Sequence, residues 1–245
     1  MEEGLRPYPC PPEGEGTAGA SIPGGVRIIS DRDGIVAVCK PGGIASIPDR
    51  AGSPGDLHSI LQEMLGTRLF VVHRLDRGTS GVILFARTAE VHRTLSIAFQ
   101  SGGVAKTYHA AALGCVDECT ITAPLRRFGS GRVWADPLRG KPSTTSIRVL
   151  ERGGGFSLVE AHPLTGRQHQ IRAHLAFIGH PVAGDPVYSR ASCAFWPRLM
   201  LHASKIELVS FGNGISFEAP IPGSFTEALE RARSRAGGGS DDGRT

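Results

Sequence analysis

The chain has 245 residues, 40% hydrophobic and 20% charged, with a formal net charge of +4. That is an ordinary balance for a soluble globular protein with a sizeable core, and the mild basic bias permits nucleic-acid binding without requiring it. No apolar run approaches the ~18–20 residues of a membrane span, and five cysteines without a CxxC pair argue against a disulfide framework or a zinc site and for reduced thiols in the cytoplasm.

The first 25 residues hold six glycines and five prolines with little apolar content, so they read as a flexible lead-in, too short for a basic RNA-binding module. Short β-branched or alternating runs follow at 26–29, 35–39, 82–86, 108–113, 146–150, 156–161, 205–209 and 215–218, bounded by Gly, Pro, Asp or Asn. Helical stripes interrupt them. Leu57, Ile60, Leu61, Met64 and Leu65 share one face, with Asp56 as N-cap and Gly66 as stop. Val91, Leu95, Ala98 and Phe99 form a second stripe ended by Gly102-Gly103. Ile171, Leu175 and Ile178 form a third closed by Gly179, and a last helix starts at Ser224 with Glu227 completing a capping box. Residues 237–245 read as a disordered tail. Strands outnumber helices without regular alternation, which predicts an α+β fold with a mixed, largely antiparallel sheet and flanking helices. The expected organisation is one domain over residues 26–236 between two loose ends.

Two stretches carry chemistry. In His73-Arg74-Leu75-Asp76-Arg77-Gly78-Thr79-Ser80-Gly81, one carboxylate lies between two arginines at a turn, and an apolar strand follows at once. Flanking cations keep a carboxylate ionised, which suits a nucleophile or base. In the second, His162 to Leu175, Thr165-Gly166 can open a helix that gathers Gln168, His169 and Arg172 on one side while Ile171 and Leu175 pack inward. Free N–H groups at such a start suit an anionic or polar ligand. The histidines do not suggest a metal: His169 and His174 are five apart, about 140° around a helix, and no HExxH or carboxylate-paired triad is present.

These stretches resemble a known family. Residues 73–81 resemble the HRLDxxTSG signature of the RluA-type pseudouridine synthases. Residues 163–175 resemble PxTGRxHQIRxHL, residues 179–188 GHPIxGDxxY, Lys106-Thr107-Tyr108-His109-Ala110 a KxYxA strand, and Arg198 to Ala203 an RLxLHA strand. Residues 140–145 match a further family stretch. Residues 40–50 resemble the KPxGLLSVPGR segment of the RluA subgroup, with Asp49 where a Gly is common, and the lack of room for an S4-like module in the lead-in points the same way.

The resemblance implies the pseudouridine synthase fold with a central RNA-binding cleft, and isomerisation of uridine in stem-loops of tRNA and/or large-subunit rRNA. It implies Asp76 as catalytic nucleophile, Arg172 as its salt-bridge partner and Tyr108 as the tyrosine stacking on the target base. Arg74 would fill the gap left by the flipped base, Arg167, His169 and Gln170 would contact RNA, and Leu175 would wall the pocket. No cofactor, metal, DNA or membrane partner is implied, and the protein is expected to be a monomer. A catalytically inactive RNA-binding or chaperone-like protein of the same fold is the alternative. A nucleosidase-like hydrolase fits less well, since glycoside hydrolysis ordinarily uses paired carboxylates and no second one stands out.

Overall fold

The computed structural model describes residues 25–48, 55–210 and 214–237. The expected lead-in up to residue 24, the tail from residue 238, and Asp49 and Arg50 lie outside the described residues. In chain order the elements are β1 (Arg27–Arg32), β2 (Ile35–Lys40), α1 (Leu57–Leu65), β3 (Phe70–Val71), β4 (Ser80–Ala86), α2 (Ala89–Ser101), β5 (Val104–Leu113), β6 (Cys119–Thr122), β7 (Leu125–Arg127), β8 (Val133–Ala135), β9 (Thr144–Gly153), β10 (Phe156–Pro163), α3 (Gln170–Phe177), a 3₁₀ turn (Arg190–Ala194), β11 (Leu201–Leu208), β12 (Ile215–Glu218) and α4 (Gly223–Gly237). The architecture is α+β, as the sequence predicts. Among the described residues no helix is long and apolar enough to cross a membrane. The chain divides into two compact units: one runs to Lys106 and resumes over Ala203–Pro220, the other takes Thr107–His202 and the chain from Ile221.

In the first unit the strands lie in the order β1-β2-β4-β11, with β3 on β4 and β12 on β11. The pairs β1–β2, β2–β4, β3–β4 and β11–β12 are antiparallel. Every residue of β4 is buried, and its unbroken apolar run is what a strand covered on both faces requires. Val82, Leu84 and Ala86 join Leu95 and Ala98 of α2 in one core. On the other face Phe85 stacks with His58 of α1, ring centroids 5.9 Å apart. The helix ends form where the sequence places them. The Asp56 carboxylate accepts from the Ser59 N–H, and Gly66 stops α1 at φ 59°. Thr88 caps α2, and Gly102 ends it at φ 80°. Side-chain N-caps of this kind contribute ~1 kcal/mol each. Gly81 has φ 121°. A Cβ there would meet the Ala203 carbonyl oxygen at 2.1 Å, so only glycine lets β11 approach β4 this closely.

In the second unit β5, β10, β9 and β6 lie side by side in that order, each neighbouring pair antiparallel. Val159 and Ala161 of β10 pack with Ala111 of β5, Ile171 and Leu175 of α3, and Phe225 and Leu229 of α4. Burying each large aliphatic or aromatic side chain contributes ~1.5–3 kcal/mol, so this cluster anchors both helices to the sheet. A separate hairpin, β7–β8, rests on Ala173 of α3 through Leu125 and Val133. The last helix begins one residue earlier than its sequence suggests. The Pro222 carbonyl accepts from the N–H groups of Phe225 and Thr226, and Ser224 lies inside the first turn, where its hydroxyl accepts from Arg198 Nη1 at 3.4 Å.

Candidate active site

Asp76 lies on the loop between β3 and β4. The Thr79 N–H donates to the Asp76 carbonyl at 3.1 Å, which makes residues 76–79 a turn. The loop is tied at three points. Ser46 bonds both backbone groups of Leu75: its hydroxyl donates to the Leu75 carbonyl at 2.8 Å and accepts from the Leu75 N–H at 3.1 Å. The ammonium of Lys40, fully buried, donates to the carbonyls of Ile44 at 2.8 Å, Pro41 at 3.0 Å and Arg77 at 3.1 Å. The Arg77 carbonyl also accepts from the Gly43 N–H at 2.8 Å. Buried backbone groups need such partners, and together they hold the loop from both sides of Asp76.

His73 provides the third tie. The Leu84 N–H donates to His73 Nε2 at 3.0 Å, just where the short β3 has ended beside β4. The ring stacks on Phe99 at 4.6 Å. Burial, reinforced by the Lys106 charge, lowers its pKa to about 3, so the ring is neutral and Nε2 is free to accept. The histidine of the first stretch is therefore structural. Leu75 is its buried anchor, while Arg74 and Arg77 are exposed and Asp76 is half-buried.

The second stretch differs from its sequence reading. α3 begins at Gln170, not at Thr165-Gly166, so Gln168 and His169 precede the helix and do not share a helical face with Arg172. His169 takes a left-handed conformation at φ 53°. The reason is Gln170. Its Oε1 accepts from the Thr165 hydroxyl at 2.6 Å and from the Arg167 N–H at 3.0 Å. Its Nε2 donates to the Thr144 carbonyl at 2.9 Å and to Thr145 Oγ1 at 3.0 Å. With only 4% of its surface exposed, Gln170 holds the loop and is not offered to RNA as expected. The Thr145 hydroxyl also meets His174 Nδ1 at 2.8 Å, and His174 Nε2 lies 3.0 Å from the Ala123 carbonyl. Both ring nitrogens of His174 are thus used within the protein. Leu175 is likewise a core residue, fully buried among the apolar side chains of this unit, and not a wall that a ligand reaches.

Arg172 remains, and its partner was not expected. Its Nε donates to Asp185 Oδ2 at 2.7 Å and its Nη2 to Asp185 Oδ1 at 2.8 Å. Asp185 Oδ1 also accepts from the N–H groups of Val187 and Tyr188. The spacing Asp-Pro-Val-Tyr was a legible sign of such a side-chain turn, although nothing local names Arg172 as the other partner. Tyr188 joins the parts. Its hydroxyl donates to the Val133 carbonyl at 2.7 Å and lies 3.3 Å from His169 Nδ1. Its ring lies 5.3 Å from the Arg172 guanidinium. Arg167 is exposed and donates from Nε to the Pro142 carbonyl at 3.2 Å. Tyr108 is half-buried on β5, opposite Ala161 of β10. Among the described residues no group of three or more His, Cys, Asp or Glu is placed to hold a metal.

Comparison with known proteins gives a consistent answer. Residues 34–177 match the family described as RNA pseudouridylate synthase. An uncharacterized RNA pseudouridine synthase of Zymomonas mobilis is 41% identical over 165 residues, 64% of this chain and 75% of the relative. The ribosomal large subunit pseudouridine synthase C of Vibrio cholerae is 37% identical over 175 residues, 67% of this chain and 56% of the relative. The match therefore spans three quarters of the one and little more than half of the other. Among solved structures, human RNA Pseudouridylate Synthase Domain Containing 1 superposes with a TM-score of 0.71 at 25% identity, covering 89% of this chain and 97% of that one.

Proposed function

Because this chain belongs to the RNA pseudouridylate synthase family, we propose that it converts uridine to pseudouridine in a stem-loop of tRNA and/or large-subunit rRNA, with Asp76 as the nucleophile. The bond from ribose C1′ to uracil N1 breaks, the base turns, and C1′ bonds to C5. N1 takes up a proton and C5 releases one, so the reaction is an isomerisation and needs neither redox chemistry nor phosphate energy. The carrying observation is the Asp76 loop: a carboxylate on a turn whose backbone is fixed on both sides by Lys40, Ser46 and His73. Preorganisation of this kind removes the cost of aiming the group during reaction.

Arg172 neutralises and aims the Asp76 carboxylate in this reading. A guanidinium has five N–H donors, so the two bonds to Asp185 are compatible with that role. Tyr108 stacks on the target base and helps remove the C5 proton. Arg74 stacks in the gap left when the uridine flips, a step costing a few kcal/mol. Arg167 and His169 contact the RNA. The catalytic domain takes residues 26–236, acts as a monomer in the cytoplasm, and uses no cofactor.

The test is Asp76→Asn, assayed by tritium release from RNA labelled at uridine C5, on a minimal tRNA stem-loop and on an rRNA fragment. The parent releases tritium from at least one of them. The variant releases none while staying folded and binding RNA near-normally. Substantial residual release from the variant would sink the assignment.

A further inference from the structure

The hairpin β7–β8 has two unlike faces. Leu125 and Val133 point inward and are buried. On the outward face Arg126 sits opposite Trp134. The Phe128 N–H donates to the Arg132 carbonyl at 2.9 Å, so Phe128 and Arg132 form the next opposed pair toward the tip. Successive side chains alternate faces along a strand, which brings these four residues together. They form a checkerboard of cations and rings. The Arg126 guanidinium lies 5.3 Å from the Phe128 ring, and that of Arg132 lies 4.7 Å from Trp134. The Trp134 ring stacks in turn on Tyr188 at 6.1 Å, and Arg132 also lies 5.3 Å from Tyr188. Phe128 is 41% exposed, an unusual place for a large apolar ring that packs against no core.

The charge of this segment is as distinctive as its rings. Residues 125–141 carry Arg126, Arg127, Arg132, Arg139 and Lys141 against Asp136 alone, a net of +4. The whole chain also has a net charge of +4, so the remaining residues are neutral in sum and this hairpin with its base holds the entire excess.

We propose that the outward face of β7–β8 is a binding platform for unpaired nucleotides of the RNA that carries the target uridine. It rests on the reading of the protein as an RNA pseudouridine synthase and adds where that RNA is gripped. Single-stranded RNA offers both chemistries the face calls for: bases that stack on aromatic rings and guanidinium planes, and phosphates that accept from arginine. An acidic peptide would satisfy the cations and leave the rings exposed. Arginines layered on rings keep their N–H edges available while cation–π contact holds them in place. Through Tyr188, which contacts Arg172 and His169, the platform continues to the start of α3.

The test compares the parent protein with Arg126→Ala/Arg132→Ala and with Phe128→Ala on a stem-loop that the parent modifies. Arg93→Ala, an exposed cation of α2, serves as control for loss of charge elsewhere. The expected result is an affinity about 10-fold weaker in the hairpin variants. The slope of log K against log salt becomes shallower by about one in the double arginine variant, and the control keeps parental affinity. RNA also quenches the tryptophan fluorescence of the parent, and the quench is lost in Trp134→Phe, because Trp196 is only 5% exposed. Unchanged affinity and salt slope in folded hairpin variants, or an equal loss in Arg93→Ala, overturns the platform. A parent that modifies no RNA overturns instead the functional reading beneath it, so the two failures are told apart.

Discussion

Arg172 and Asp185 form a two-pronged ion pair, 2.7 and 2.8 Å between their paired atoms, with side-chain exposures of 6% and 0%. Thirteen residues separate them in the chain, and the loop carrying Asp185 is itself shaped by that carboxylate. The pair fixes the plane of the guanidinium, which is what an arginine must have to aim a catalytic carboxylate.

Asp185→Asn keeps the size of the side chain and removes this partner charge. Breaking a buried pair on one side typically costs ~3–5 kcal/mol, so the urea midpoint falls. Turnover at saturating RNA falls more than KM rises, because the guanidinium is misaimed while the RNA surface is intact. Arg172→Met has a similar cost, and the double variant loses less than the two single losses together, with a coupling of ~0.5–3 kcal/mol. Strictly additive losses in a double-mutant cycle would contradict the coupling.

Ser46→Ala tests the support of the Asp76 loop without touching Asp76. It removes both partners of Leu75, whose side chain is 7% exposed and whose backbone is therefore shut off from water. Each buried group left without a hydrogen bond costs ~1–3 kcal/mol. Single-turnover rates drop at least 10-fold while RNA affinity, measured by titration, changes by less than 3-fold. Equal changes in both would mean that Ser46 supports binding in general and not the aim of the carboxylate.

His73 makes stability depend on pH. Its folded pKa is about 3, against an ordinary value of 6.5. The unfolded chain therefore takes up a proton near pH 6.5 that the folded chain refuses until about pH 3. Stability from this group is present above pH 6.5 and is lost on acidification across that window, by up to ~1.4 kcal/mol per pH unit. Burial lowers the pKa of His174 and His109 in the same direction. Urea midpoints measured from pH 7.5 down to pH 4 fall steadily in the parent. His73→Gln, which keeps an acceptor for the Leu84 N–H and cannot titrate, starts from a lower midpoint and falls less steeply. Parallel curves for the two proteins would show that His73 does not titrate as described.

Much of this protein is determined by its local sequence. Asp56, Gly66, Thr88 and Gly102 bound α1 and α2, because capping depends on residues within one turn of each other. The apolar run of β4 announces a strand covered on both faces, and the turn at Asp76 is marked by its own Arg-Gly-Thr. The family signature is local too, since each of its stretches is a short run whose residue types survive on the page.

What only the tertiary structure decided involves partners far apart in the chain. The start of α3 moved from Thr165 to Gln170 because Gln170 reaches Thr144 and Thr145 on β9, and no helical propensity records that bond. The same network turns Gln170 and His174 from candidate RNA ligands into supports. Leu175 became core because α3 lies on β5 and β10. Lys40 and Ser46 stand some thirty residues or more from the loop they hold, and Asp185 stands on a different element from Arg172. A sequence shows which residues can donate, accept or carry charge, whereas burial and long-range hydrogen bonding choose which of them remain available to a substrate.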